Sequence, residues 1–382
     1  MSRHVSPPKT LLAADDLRGI LRQYSLRLRD FTAIPQGTIN SNYCVQSDEG
    51  PLFLRICEGK SLSDVAFESS LIWHLGSAGL RTPPLWRTRS GSPFVPFRPG
   101  QPVMLFSWVQ GRQLTDVEID EAHAFHIGEL LARLHLATDD LRHGHTGIYT
   151  PVHLAQRLQH LRHDAQAHAA VGPVLTSLAH ELEWLSRTRL ATLPRGIGHS
   201  DLFPDNLLFP SKPLRHRKGG AQTPPERSGW VLDLEQAATV PRIYDLSVSL
   251  LACCAPVPEL ALQTSTASEL DWTAAQRTSE PPANAPDVER IGPLCAHTAR
   301  ALVAGYQSLR ALSPEEWLGL YAELRFAALR FTITRLTDVH RYGTPQPRAV
   351  VAGKDFREFL WRLHRLIATP AEQLCAHLRQ PF

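Results

Sequence analysis

Gly198-His199-Ser200-Asp201-Leu202-Phe203-Pro204-Asp205-Asn206, with Trp230-Val231-Leu232-Asp233 further on, is the part of the chain that decides its reading. It supplies two carboxylates and a carboxamide of the kind that phosphoryl transfer requires. Asp201 is suited to hold an attacking hydroxyl and accept its proton. Asn206 and Asp233 offer oxygen ligands of the sort magnesium takes when it bridges nucleotide phosphates. For either motif alone, a capped turn or an unrelated strand-end aspartate is an adequate explanation. An H-x-D-x-x-x-x-N segment followed by an aspartate at the end of the next strand is much harder to explain that way.

The flanking sequence divides into two textures. Residues 11–28 read as a helix. From 32 to 58 the pattern alternates, with Tyr43 and Val45 and then Leu52, Leu54 and Ile56 on one face, joined by Ser47-Asp48-Glu49-Gly50-Pro51. That is a hairpin with turn chemistry at its tip. A helix over 64–78 carries the stripe Phe67, Leu71, Leu75, and Glu68 lies on the same side, either as a flank residue or as partner to a buried cation. Two more strands, at 94–97 and 103–108, precede a mainly helical remainder, in which 122–137 is plainly amphipathic. Helical texture returns at Gly292. Ser313-Pro314-Glu315-Glu316 reads as a capping box opening one long helix or two, with Phe326, Leu329, Ile333 and Leu336 as the buried stripe.

The expected fold class is therefore α+β. Residues 1–108 form a small antiparallel-sheet lobe and 109–382 a larger helical lobe, in a two-lobed enzyme with a nucleotide in the cleft. Segments 211–229 and 256–290 interrupt the pattern. The first is rich in Lys, Arg, Gly and Pro, the second in Pro, Ser, Thr and Ala, and both read as flexible insertions.

Composition narrows the function classes. The chain has 382 residues, 43% apolar and 20% charged, enough for two cores in an ordinary globular protein. A formal charge of +3 gives no support to nucleic acid binding. Six scattered cysteines lack metal or disulfide spacing, and His160 and His163 lack a second ligand cluster, so structural metal binding is not expected. No apolar run reaches membrane-spanning length, and a cytoplasmic protein without nucleic acid or membrane partners is the expectation. Oligomeric state is not legible.

The first lobe of a phosphotransferase needs a loop over the phosphates and a cation near them. Gly37-Thr38-Ile39-Asn40-Ser41-Asn42-Tyr43 is the candidate loop, with Gly37, Thr38 and Asn42 toward the nucleotide. Arg55 alternates away from Leu54 and Ile56, and is a candidate for the phosphates when paired with Glu68. An ordinary surface charge is the competing reading for each. His199 is better placed to brace the loop than to act as base. Asp245, in Tyr244-Asp245-Leu246, opens a helix and is either a plain helix-start acid or an acceptor for backbone N–H groups of the catalytic loop.

The segments Arg195–Phe209 and Leu232-Asp233-Leu234-Glu235-Gln236-Ala237, with Tyr244-Asp245-Leu246, resemble the aminoglycoside phosphotransferase and choline kinase superfamily. Within it the chain is most similar to bacterial homoserine kinases of the phosphotransferase-like type. That likeness extends to Gly37–Tyr43, Gly128-Glu129-Leu130-Leu131-Ala132-Arg133-Leu134-His135, Leu324–Phe331 with Arg335-Leu336, and Lys354-Asp355-Phe356. The resemblance implies a protein-kinase-like fold, ATP as substrate, Mg2+, and a small hydroxylated acceptor. It assigns Asp201 as base, Asn206 and Asp233 as metal ligands, and Arg55 with Glu68 as the cation–acid pair. Ser200 departs from the usual Gly or Ala, and Arg55 from the lysine of many relatives.

Homoserine as acceptor would need an arginine for its carboxylate. Arg330 and Arg335 are the candidates, and five residues apart on a helix they cannot both face one ligand. For Arg335, an i,i+3 pair with Asp338 is an equal alternative. Choline, an amino sugar or hydroxylysine are the competing acceptors within the same superfamily. A catalytically silent binding protein on the same scaffold is the reading from a different class.

Overall fold

The computed structural model describes residues 10–35, 40–141, 144–210, 229–256, 289–338 and 354–382. These fall into two compact units. One takes the described residues up to Arg112 with 208–210 and 229–235, and the other takes the rest. The expected insertions fall almost wholly outside the described residues, as do Gly37 and Thr38.

The first unit is a five-stranded antiparallel sheet with two helices. Its strands are β1 (Leu28–Ile34), β2 (Ser41–Ser47), β3 (Gly50–Ile56), β4 (Val95–Arg98) and β5 (Gln101–Ser107), in the order β1-β2-β3-β5-β4. The expected hairpin is β2–β3, in a register that sets Asn42 opposite Arg55 and Val45 opposite Leu52. Gly50 closes it at φ 107°, a conformation a side chain would disfavour. One sheet face carries Tyr43, Val45, Leu52, Leu54, Ile56, Val103 and Leu105, and buries them with Leu17, Ile20 and Leu21 of α1 (Ala14–Arg22). Each such side chain contributes about 1.5–3 kcal/mol. Strand alternation therefore sends Arg55 to the opposite face, where it meets Glu68 of α2 (Leu62–Ser77). The capping box at the start of α2 uses Ser61 and Asp64.

The helix expected to run to Leu28 stops at Arg22. Ser25 turns at φ 62°, and Leu28 onward pairs with β2, because ladder bonds satisfy that backbone better than a lone helical extension.

The second unit is mainly helical. It contains α3 (Glu121–Ala137), α4 (Pro151–His163), α5 (Ala165–Thr188), α6 (Arg242–Cys253), α7 (Ala296–Gln307), α8 (Pro314–Asp338), α9 (Phe356–Ile367) and α10 (Ala371–Leu378). Its strand β6 (Arg195–Gly198) leads into the segment containing Asp201 and Asn206 and pairs with Ala238–Pro241. Helical texture, expected from Gly292, starts only at Ala296, and residues 290–295 form a small antiparallel hairpin around Gly292 at φ 62°. The capping box at α8 forms as read, Ser313 Oγ accepting from the Glu316 N–H and Glu316 accepting from the Ser313 N–H, and a single helix follows. Glycines let α3 and α7 approach closely. A Cβ on Gly128 would lie 2.1 Å from the Leu302 carbonyl oxygen, and one on Gly305 1.9 Å from that of Phe125. That closeness brings His135 within reach of Tyr306. No helix among the described residues is long and apolar enough to cross a membrane.

Candidate active site

The first unit contributes a charge cluster. Arg55 is buried, and its guanidinium donates to Glu68 Oε1 at 2.5 Å, to Asp233 Oδ1 at 3.1 Å and to the Met104 sulfur at 3.3 Å. Burial works against its charge, but Glu68, with Asp233 and Glu235 further off, more than offsets this and holds the proton on firmly. Glu68 is 6% exposed at its side chain, whereas Asp233 is 39% exposed. Asp233 also sits at φ 54°, in the left-handed region. Lys60 reaches Glu235, donating to its backbone oxygen at 2.8 Å. Arg55 and Lys60 thus face Glu68, Asp233 and Glu235, two positive charges against three negative ones. The surplus negative charge is greatest in accessible form at Asp233, which suits a dication and the anion it would carry.

The second unit contributes the segment 198–206, read from sequence as catalytic. After β6 the chain turns at Ser200, φ 64°, and strain of this kind persists only where the surroundings enforce it. Asp245 enforces it here. Its carboxylate is fully buried on α6 and accepts from the backbone N–H groups of His199 and Ser200, both at 2.7 Å. Behind Asp245 stands His135, with Nε2 3.0 Å from the carboxylate and Nδ1 2.7 Å from the Tyr306 hydroxyl. Burial lowers the His135 pKa, which favours the neutral ring. A carboxylate only accepts, so Nε2–H donates to Asp245 and Nδ1 accepts from Tyr306 O–H. The Tyr306 oxygen in turn accepts from Arg310, which is paired with Glu316. Although burial alone would raise the Asp245 pKa, the His135 bond and neighbouring charges, with the backbone donors, hold it below the usual range.

Asp201 lies beyond this turn and is partly exposed. Asn206 donates from Nδ2 to the Asp201 backbone oxygen at 2.8 Å, which fixes the amide and turns its acceptor oxygen away from that bond. Arg330 of α8 donates from Nη1 to Asp201 Oδ1 at 3.2 Å. This arginine is 2% exposed, lies 4.0 Å over the Tyr149 ring and 3.7 Å over Phe331, and its buried Nε–H has no acceptor among the described residues. Burial works against its charge, while Tyr244, Asp201 and Tyr149 favour it and leave its pKa raised. Phe203, in the same segment, packs edge-on to Phe331 with centroids 4.8 Å apart.

The two arginines proposed from sequence part company. Arg335 donates to Glu358 at 2.6 Å and to the Asp355 carbonyl at 2.8 Å, and lies over Phe359. The Asp338 side chain suggested as its partner is outside the described residues. Asn42 is on β2 across from Arg55. His199 is fully buried, in keeping with a brace. Arg55, Glu68 and Asp233 belong to one unit, and Asp201, Asn206, His199, Asp245 and Arg330 to the other.

Three contributors were missed from sequence. His135 and Tyr306 act through Asp245, and His135 closes a stretch already singled out, so its position in the last turn of α3 was the available signal. Tyr149 lies just before α4, and nothing in the sequence marked it. Among the described residues, no group of three His, Cys, Asp or Glu is placed to hold a metal. A magnesium ion that carries phosphates needs fewer protein ligands than that, and the oxygen donors Asp233 and Asn206 fit its preference.

Comparison with known proteins is consistent with this chemistry. The family model described as "Phosphotransferase enzyme family" matches residues 30–278. A homoserine kinase from Rhizobium johnstonii is 30% identical over 370 residues, covering 95% of this chain and 97% of its own length. Among solved structures, a spectinomycin phosphotransferase in complex with ADP and spectinomycin aligns with TM-score 0.61 at 14% identity, covering 95% of this chain and all of its own. An amicoumacin kinase in complex with AMP-PNP, Ca2+ and its substrate aligns with TM-score 0.60 at 14% identity, covering 90% of this chain and 91% of its own. At these identities the structural likenesses speak for the fold, which is the kinase-like fold of such phosphotransferases.

Proposed function

We propose that this chain, which belongs to the phosphotransferase enzyme family, transfers the γ-phosphoryl group of ATP to the hydroxyl of homoserine, giving O-phosphohomoserine. The near full-length similarity to homoserine kinases supports the acceptor, and the nucleotide-bound neighbours support ATP. The observation that carries the reading is Arg330, a buried guanidinium beside Asp201 whose Nε–H has no acceptor among the described residues.

Asp201 orients the acceptor hydroxyl and takes its proton, and in a loose transition state this needs no raised pKa. Arg330 receives the acceptor carboxylate and so aims the hydroxyl at Asp201. Asp245, with His135 and Tyr306 behind it, keeps the strained turn that presents Asp201. Arg55, held by Glu68, meets the phosphate charge. Asn206 and Asp233 are the residues that would hold magnesium, which when bound neutralises charge on the phosphates.

Choline is a poorer fit. A quaternary ammonium favours open aromatic faces, and in this unit Tyr149, Phe331 and Phe359 each have an arginine over the ring. A silent scaffold is disfavoured because Asp201, Asn206 and Asp233 are all present. The test is magnesium-dependent ADP release with homoserine, choline, an aminoglycoside and hydroxylysine. Homoserine is expected to give the highest kcat/KM. Turnover with another acceptor but not homoserine would overturn the acceptor, and release with none would overturn the enzyme reading.

A further inference from the structure

We infer that Asn40 and Glu235 form a latch that sets Asp233 for the metal–nucleotide complex, which makes both of them positioning residues. The inference rests on Asp233 as a magnesium ligand and adds what keeps that ligand in place.

Asp233 occupies the left-handed region at φ 54°, a conformation that is strained for a non-glycine residue. Its side chain is held by Arg55, but the backbone that follows needs its own support. The next residues, Leu234–Gln236, form a single short turn. Glu235 in that turn has a side chain only 7% exposed. Its Oε2 accepts from Asn40 Nδ2 at 2.6 Å, and its backbone oxygen accepts from Lys60 at 2.8 Å.

Asn40 is committed at both ends of its amide. Its Oδ1 accepts from the Glu58 N–H at 3.1 Å, so it cannot swing away without breaking a bond. The Glu58 carboxylate accepts from Ser41 Oγ at 2.7 Å and from Gln101 Nε2 at 2.8 Å. A continuous chain of hydrogen bonds therefore runs from β5 through Glu58 and Asn40 to a residue two positions from Asp233. Asn40 also directly follows Gly37-Thr38-Ile39, the stretch expected to cover the phosphates. One carboxamide thus ties the end of β3 to the turn carrying the metal carboxylate, and loosening it should weaken magnesium-dependent nucleotide binding.

Calorimetric titration with ADP, with and without magnesium and with no acceptor present, tests this on the full chain. Asn40→Ala and Glu235→Ala are each expected to weaken magnesium-dependent ADP binding roughly tenfold, with little change when magnesium is absent. The double variant should lose less than the two single losses combined, because the Asn40–Glu235 bond is common to both, while Asn40→Ala also frees the Glu58 N–H and Glu235→Ala the Lys60 ammonium. Glu235→Gln should stay within about threefold of the parent, since its amide oxygen still accepts from Asn40. A glutamine variant as weak as the alanine one would overturn the latch, because charge rather than position would then be the role of Glu235. Additive losses in the double variant would overturn it as well. Asp233→Ala in the same titration separates the two levels. If it keeps magnesium dependence, the ligand reading fails; if it loses it while Asn40→Ala and Glu235→Ala do not, only the latch fails. Thermal melting distinguishes a loosened site from a loosened fold, and Asn40→Ser replaces Asn40→Ala should the latter not fold.

Discussion

The charge clusters of the two units are built on opposite plans. Around Arg55, hydrogen bonds to Glu68, Asp233 and the Met104 sulfur leave Nε without an acceptor among the described residues, but the surplus charge of the cluster is negative and lies at the partly exposed Asp233. Around Arg330, one carboxylate, Asp201, balances one guanidinium, whose Nε likewise has no acceptor among the described residues, so no negative charge is in surplus. A surplus carboxylate suits a dication, and a guanidinium set against a single carboxylate suits a substrate carboxylate. The difference is the physical basis on which metal and phosphate are proposed for the first cluster and the acceptor for the second.

The sharpest attempt to break that division is Asp201→Asn. It should lower kcat about a thousandfold, the scale of general-base loss, while ADP binding measured by calorimetry stays nearly unchanged. Full turnover in this variant would remove Asp201 from the chemistry. Next in size is Asp233→Ala, expected to weaken magnesium-dependent ADP binding by about a hundredfold. Since Arg55 would keep Glu68, the fold should survive, which circular dichroism would check.

The acceptor side gives the next smaller effect. Arg330→Met should raise the homoserine KM about thirtyfold, as expected for losing a charged hydrogen bond, and leave the ATP KM alone. Arg335→Met should change the homoserine KM by less than about threefold, because its guanidinium already serves Glu358 and Asp355. The reverse order would move the carboxylate site to Arg335.

The smallest effect concerns stability and belongs to the second unit alone. Burial holds the His364 pKa down to about 4, against 6.5 in an exposed chain, and burial lowers that of His135 too. Between those values the unfolded chain binds protons the folded one refuses, so stability is lost as pH falls below about 6.5. The melting temperature should drop by a few degrees, roughly, between pH 7 and pH 5. His364→Gln should flatten that slope, and an unaltered slope would assign the acid sensitivity elsewhere.

Much was legible without coordinates where one stretch of chain contains the whole signal. The β2–β3 hairpin follows from period-two alternation and turn residues, and the start of α8 from Ser313 and Glu316. Glu68 as partner of a buried cation was visible as one of two options, since helix spacing placed it on the apolar side. The end of α1 was misread because pairing with β2, rather than local propensity, decides where Leu28 goes.

By itself, the sequence determined the groups available to this protein: a carboxylate at Asp201, oxygen-bearing side chains at Asn206 and Asp233, and a sheet-rich part followed by a helical one. These depend on residue type and short spacing, which a chain displays directly. Tertiary structure alone decided the partners. Arg330 rather than Arg335 stands beside Asp201, His135 reaches Asp245 across 110 positions, and Asn40 reaches Glu235 across 195. Hydrogen-bonding capacity is the same for any arginine or asparagine in a sequence, and only packing settles which donors are already taken and which remain for a ligand.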